Sequence, residues 1–192
     1  MPDLYWWRVP SPWGPLRLLA TERGLCRVVL PAEEGVDRWV ARFLPGHTAI
    51  EGGSLLREAA DQLEGYFSGR LPALELPLDL YGTAFQKAVW QTLQSIPYGQ
   101  VWSYAQVAAA VGRPRAARAV GAAVAANPLP IVIPCHRVIR ADRSLGGYGG
   151  GREMKLGLLR LEGCNVEHFV LESTWVRRRP DPEGGTSGYA HR

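Results

Sequence analysis

The 192-residue sequence predicts an α/β (α+β) chain in three parts. An antiparallel β-meander with helices fills residues 1–80, a mostly helical unit built around a helix-turn-helix fills 81–165, and a tail runs over 166–192. Three observations predict this. Short apolar, β-branched runs separated by Gly/Pro turns open the chain. Two capping boxes, each followed by a helical apolar stripe, mark helix starts in the second half. Charge divides at the same place: residues 1–80 carry 8 Lys+Arg against 11 Asp+Glu, and residues 81–163 carry 10 against 3.

In the first part, Tyr5–Val9, Leu16–Ala20 and Cys26–Leu30 are the strand candidates. Pro12-Trp13-Gly14-Pro15 and Glu22-Arg23-Gly24 supply the turns between them. Val36, Trp39, Val40 and Phe43 recur at helical spacing, as do Leu56, Ala59, Ala60, Leu63 and Phe67, so two amphipathic helices follow. Trp6, Trp7, Trp13 and Trp39 are expected to pack the fold rather than form a binding face.

The second part opens on the capping box Thr83/Gln86, whose helix presents Phe85, Val89 and Leu93 and stops at Ile96-Pro97. A second box, Ser103/Gln106, starts a short helix bearing Tyr104, Val107, Ala108 and Val111, which Gly112-Arg113-Pro114 breaks. A third helix runs from about Arg115 to Ala126. Two short helices joined by a tight glycine-containing turn form a helix-turn-helix. The third helix is mostly alanine and glycine, with Arg113, Arg115 and Arg118 at its N-terminal end. Such a helix suits close approach to another helix or to a phosphate backbone, and the net +7 of residues 81–163 favours the second.

Composition narrows the setting. The 46% hydrophobic and 21% charged fractions are those of a soluble globular protein. No apolar run of about 18 residues predicts a membrane span, and the N-terminus does not resemble a secretory signal. Three cysteines, an odd and sparse set, argue against a disulfide scaffold and for a reducing, cytoplasmic location.

One cysteine stands out. Ile131-Val132-Ile133 is expected to be a short buried strand that delivers the chain into Pro134-Cys135-His136-Arg137-Val138. A proline fixes the chain before Cys135, and the imidazole and guanidinium after it favour the thiolate, the reactive form. Cys26, His47, Cys164 and His168 lack zinc spacing, so no metal site is predicted. Gly146-Gly147-Tyr148-Gly149-Gly150-Gly151 lacks the Lys-Ser/Thr ending of a phosphate loop; it is either a flexible surface loop or one that closes amides and a ring on a flat substrate. A last helix, Met154 to Glu162, ends at Gly163, and Glu162 is either solvated surface or a partner for His136.

Pro134-Cys135-His136-Arg137-Val138, Arg118-Ala119-Val120-Gly121, Asn127-Pro128, and Gly147-Tyr148-Gly149-Gly150 to Leu161-Glu162-Gly163 resemble the O6-alkylguanine-DNA alkyltransferase (methylated-DNA–protein-cysteine methyltransferase) family across residues 81–163. The resemblance implies an RNase H-like N-terminal domain and a winged helix-turn-helix. It implies irreversible, once-only transfer of an alkyl group from O6-alkylguanine, and from O4-alkylthymine, to Cys135 after nucleotide flipping, with no cofactor. By the same resemblance His136 deprotonates Cys135 through a water, Glu162 holds the imidazole, and Asn127 supports the site. Tyr104 donates to the departing guanine. Cys135 and Val138 carbonyls read the base, and Tyr148, Gly149 and Gly150 line its pocket. Arg118 fills the gap left in duplex DNA, with Ser103, Tyr104, Arg115, Ala117 and Gly121 on the minor-groove contact surface. The partner implied is double-stranded DNA carrying alkylated guanine, met by a monomer with little sequence preference, cooperative binding being left open.

The chain departs from the family pattern in three places. Arg143 stands where a turn glycine is common, Gly149 where some relatives carry serine, and Arg152 adds charge beside the loop. Two other function classes remain as contrasts. A non-catalytic lesion binder would not need Cys135, and a papain-like hydrolase would not need the basic helix-turn-helix.

Overall fold

A computed structural model describes residues 3–31 and 33–169. Predicted features of the tail, among them Trp175 and Arg177-Arg178-Arg179, lie outside the described residues.

The predicted meander forms as β1 (Asp3–Val9), β2 (Leu16–Thr21) and β3 (Gly24–Val29), paired antiparallel in sequence. The sheet is not purely antiparallel. Thr48–Glu51 forms β4, which pairs in parallel with β1 and gives the order β3-β2-β1-β4. All four residues of β4 are exposed, so no hydrophobic alternation announces it. Helices α1 (Val36–Phe43) and α2 (Ser54–Phe67) occupy the two apolar stripes seen in the sequence. Trp7 and Trp13 pack against the main core, and Trp6 and Trp39 against a smaller one with Leu4, Cys26 and Val36.

In the second half, α3 (Ala84–Gln94) and α4 (Tyr104–Ala110) begin at the predicted capping boxes, with both reciprocal hydrogen bonds formed in each. The third helix, α5, is Ala117–Ala125 and starts later than the sequence suggests. Arg115 precedes it, in a turn closed by the Ala116 N–H to Arg113 carbonyl bond of 2.8 Å. No side chain caps α5, whose N-cap is Ala116, and so its first N–H groups keep no local acceptor of that kind. Helix α6 is Gly151–Leu161, beginning inside the glycine loop rather than at Met154.

The expected strand at Ile131-Val132-Ile133 is absent. The segment is a buried turn in which Ile131 takes a left-handed φ of 76°, costly for a β-branched residue. Asn127 explains why the turn holds: its Oδ1 accepts from the Leu129 N–H at 3.0 Å, and its Nδ2 donates to the Ile133 carbonyl at 2.9 Å. The Ile133 N–H closes on the Leu129 carbonyl at 2.8 Å. The chain then enters a 3₁₀ turn, Cys135–Arg137, and a two-residue strand β6 (Val138–Ile139) paired in parallel with β5 (Trp102–Ser103).

The two halves share one core. Leu16, Leu18, Leu56 and Leu63 from the first pack in a continuous cluster with Val89, Trp90, Val120 and Leu158 from the second. A backbone bond crosses as well: the Val28 N–H donates to the Pro128 carbonyl at 2.9 Å. Trp13, in the β1–β2 turn, lies directly against Gly157 of α6: a Cβ there would sit 2.5 Å from the indole.

Candidate active site

A crevice of about 1150 Å³ opens between the halves. Cys135, Tyr104, Gly121, Asn127, Tyr148 and Gly149 line it from the second half, and Leu30, Trp39 and Asp79 close it from the other side. The other two cysteines are absent from this lining. Cys26 is sealed in the core, where it donates to the Leu19 carbonyl at 3.3 Å and burial pushes its thiol up to about 12.

Cys135 heads the 3₁₀ turn and is 7% exposed. Burial raises its thiol pKa, against the opposing pull of the Asn127 side chain, the Lys155 ammonium and the backbone N–H groups of Cys135 and His136. The resting side chain is therefore the neutral thiol, held among groups that favour its anion. The sequence placed the Arg137 guanidinium in that company. It instead turns inward, donating to Glu162 from Nε and Nη2 at 2.9 Å each and to the Ile96 carbonyl from Nη1 at 2.6 Å. Lys155 is the cation that acts on the sulfur. It lies fully buried on the Leu158–Leu159 side of α6, its Nζ donating to the Val138 carbonyl at 2.6 Å and to the Leu145 carbonyl. Burial lowers its pKa to about 8.

Behind the cysteine, His136 is completely buried and its Nε2 lies 2.7 Å from Glu162 Oε1. Glu162, the C-cap of α6, is 4% exposed. Burial alone would raise its pKa, but hydrogen bonds from His136, Arg137 and Tyr66 hold the carboxyl at about 2. The Gly99 N–H adds another donor at 3.3 Å. A carboxylate this acidic has no proton to give, so Nε2 of His136 carries the hydrogen. Burial also lowers the imidazole pKa, partly offset by Glu162. The ring is thus neutral, with Nδ1 as its proton acceptor, and Nδ1 has no hydrogen-bond partner among the described residues.

The remaining predicted residues divide by location. Tyr104 is half-buried at the start of α4; its hydroxyl faces Gly146, where a Cβ would approach within 3.1 Å. Tyr148 stands edge-on to His136 with ring centroids 6.4 Å apart. Gly149 faces Leu30, and Gly150 packs on Met154, leaving no room for a side chain. Val138 is buried, and its carbonyl accepts from the Lys155 ammonium at 2.6 Å. Arg115 and Arg118 are exposed at the α5 end of the helix-turn-helix, with Ala117 and Gly121 half-buried beside them. The Ser103 hydroxyl accepts the Gln106 N–H in the α4 cap.

Sequence reasoning missed Lys155 and Tyr66. Lys155 shares the helical face of Leu158 and Leu159, a charged residue where an apolar one is expected. Tyr66 belongs to the apolar stripe of α2, and only tertiary packing brings its hydroxyl to Glu162, 96 residues away.

Residues 4–80 match the model for the 6-O-methylguanine DNA methyltransferase ribonuclease-like domain, and residues 84–164 that for its DNA binding domain. The chain belongs to the 6-O-methylguanine DNA methyltransferase family. Among its relatives in this methyltransferase family, the methylated-DNA–protein-cysteine methyltransferase of Mycobacterium leprae is 53% identical over 163 residues, covering 85% of this chain and 92% of the relative. That of Methanosarcina barkeri is 42% identical over 172 residues, covering 85% and 99%. The Mycobacterium tuberculosis OGT solved in complex with DNA superposes with a TM-score of 0.73 at 39% identity, over 82% of this chain and 92% of that one. The methyltransferase fold, an α/β N-terminal half and a helical C-terminal half, is therefore shared with solved relatives.

Proposed function

We propose that this protein repairs DNA by moving an alkyl group from O6 of guanine, and from O4 of thymine, onto Cys135. The observation that carries the proposal is the arrangement at the crevice. A buried thiol lines it, and directly behind stands a neutral imidazole with one free acceptor nitrogen and an anionic carboxylate on the other.

The chemistry follows from that placement. As Cys135 Sγ attacks the alkyl carbon, its proton passes through a water to His136 Nδ1. Lys155, Asn127 and two backbone N–H groups favour the developing thiolate. The S–C bond forms as the C–O6 bond breaks, and the electron pair stays on the base. The Tyr104 hydroxyl, beside the crevice at Gly146, donates to that developing anion. Glu162 keeps the imidazolium oriented, as the carboxylate does in a Ser-His-Asp triad. The thioether product has no acyl carbon for water to attack, so each molecule acts once. No cofactor enters the balance.

Delivery of the base falls to the helix-turn-helix. A stacked guanine hides O6, so the nucleotide is flipped into the crevice at a cost of a few kcal/mol. Arg118 fills the gap, and Arg115, Ala117, Gly121 and the Ser103 hydroxyl contact the backbone from the minor groove. The uncapped N-terminus of α5 adds N–H groups toward phosphate. Tyr148, Gly149 and Gly150 wall the base. Val138 reads it through a carbonyl whose second lone pair remains after Lys155 takes the first. Binding has little sequence preference and a steep salt dependence. The protein acts as a cytoplasmic monomer, and no helix among the described residues is long and apolar enough to cross a membrane.

Intact mass after incubation with duplex containing O6-methylguanine tests the proposal. The expected result is a gain of one methyl, mapped to the Cys135 peptide, and none in Cys135→Ala, which still binds DNA. Binding without mass gain would leave a lesion binder, and repeated turnover would indicate a hydrolase.

A further inference from the structure

Tyr66 lies on α2 in the N-terminal half, yet its side chain ends inside the Cys135–His136–Glu162 arrangement. Its hydroxyl donates to Glu162 Oε1 at 2.5 Å and lies 3.4 Å from His136 Nε2. The residue is 1% exposed, and its ring packs edge-on against Phe67 and Tyr98, with centroids at 5.7 and 6.3 Å. This packing holds the ring, and the hydroxyl has one strong acceptor.

We propose that Tyr66 is a positioning residue for alkyl transfer: by fixing Oε1 of Glu162 from the N-terminal half, it sets the orientation, tautomer and basicity of His136. This rests on the transfer function proposed above. Glu162 Oε1 is the oxygen that holds the imidazole, and it receives three donors, from Tyr66, His136 Nε2 and Arg137 Nη2. Oε2 receives Arg137 Nε and the Gly99 N–H. Each donor disperses part of the carboxylate charge and leaves less to stabilise an imidazolium. Tyr66 thus keeps the ring neutral at rest, with Nδ1 free, and keeps the carboxylate from rotating away. The charged and titratable groups around the ring are Glu162 and Lys155 from α6, Arg137 and Cys135 from the 3₁₀ turn, Tyr148 from the glycine loop, and Tyr66. Of these, Tyr66 alone comes from the N-terminal half, and its hydroxyl can be removed without altering charge.

The test is single-turnover methyl transfer to the full chain across pH, for wild type and Tyr66→Phe, with binding to the methylated duplex and the urea midpoint measured alongside. Tyr66→Phe keeps the ring and its packing. The rate is expected to fall on the order of tenfold, in line with losses of outer-shell partners that orient a functional histidine. The limb of the profile that rises as His136 loses its proton is expected to move to higher pH, because the less dispersed Glu162 charge makes the imidazole more basic. DNA affinity is expected to stay within twofold. A rate and a profile both unchanged would overturn the proposal. So would a rate that falls only with the urea midpoint while the profile stays in place, since that is a structural role. If the wild type transfers no methyl, the failure belongs to the transfer function and not to Tyr66. Nitrogen NMR of the wild-type His136 ring gives an independent readout should Tyr66→Phe fail to fold. A neutral ring protonated at Nε2 is expected, and a ring protonated at Nδ1 would refute the assignment.

Discussion

Gly157 lies in the interior of α6, where glycine costs about 1 kcal/mol relative to alanine, so Gly157→Ala would ordinarily stabilise the helix. The structure reverses that expectation. A Cβ at position 157 would sit 2.5 Å from Trp13 Cζ2 and 2.9 Å from both Cε2 and Nε1. The indole is rigid and braced edge-on by Phe67 at 6.0 Å, so relief needs a shift of the β1–β2 turn or of α6. Overpacking of this kind costs about 1–3 kcal/mol, and three close atoms on one rigid ring put this case in the upper part of that range. Net of the helix gain, Gly157→Ala is expected to destabilise by about 1–2 kcal/mol. In a Trp13→Ala background the clash is gone, and the same substitution is expected to stabilise by up to about 1 kcal/mol. Urea denaturation of the four proteins of this double-mutant cycle yields the coupling directly, expected at about 2–3 kcal/mol. Stabilisation of the wild type by Gly157→Ala, or equal effects in both backgrounds, would refute the reasoning.

Arg118→Ala is expected to slow repair of duplex at least tenfold more than reaction with free O6-alkylguanine. Parallel losses, measured as single-turnover rates, would remove its gap-filling role. Arg143 adopts a left-handed φ of 65° in the Arg140–Ser144 turn, so Arg143→Gly removes about 1–2 kcal/mol of strain and restores part of it as unfolded-chain entropy. A net gain of about 0.5–1 kcal/mol, or about 1–4 °C in Tm, is expected by calorimetry; a lower Tm would contradict it. Acid stability follows from Glu162. Its folded pKa of about 2 lies below the usual 4.5, so its contribution is full above pH 4.5 and is lost as pH falls through about 2. The shift corresponds to about 3 kcal/mol, and Glu162→Gln is expected to flatten the drop in urea midpoint over that window.

What the sequence made legible was local chemistry. The two capping boxes span four residues each, and both formed as expected at Thr83 and Ser103 because nothing distant is needed to satisfy them. Cys135, His136 and Glu162 were nominated by type and motif, and the structure brings the histidine and the glutamate within 2.7 Å. Non-local effects were not legible. β4 is four exposed residues whose strand character comes only from its parallel partner β1. Ile131-Val132-Ile133 has strand propensity, but the paired bonds of Asn127 bend it into a turn. The role given to Arg137 failed for the same reason, since Glu162, 25 residues on, claims its guanidinium.

The seam between the two matched family regions, residues 81–83, suggests modules that could be exchanged between relatives. The contacts across it say otherwise. Trp13 must meet a glycine at 157, Tyr66 must meet a glutamate at 162, and the backbones of Val28 and Pro128 must register. A crossover at the seam would draw each pair from two different ancestors and break the match in packing, in charge and in register at once. The halves are therefore expected to be inherited together, with substitutions on one side of the seam answered on the other.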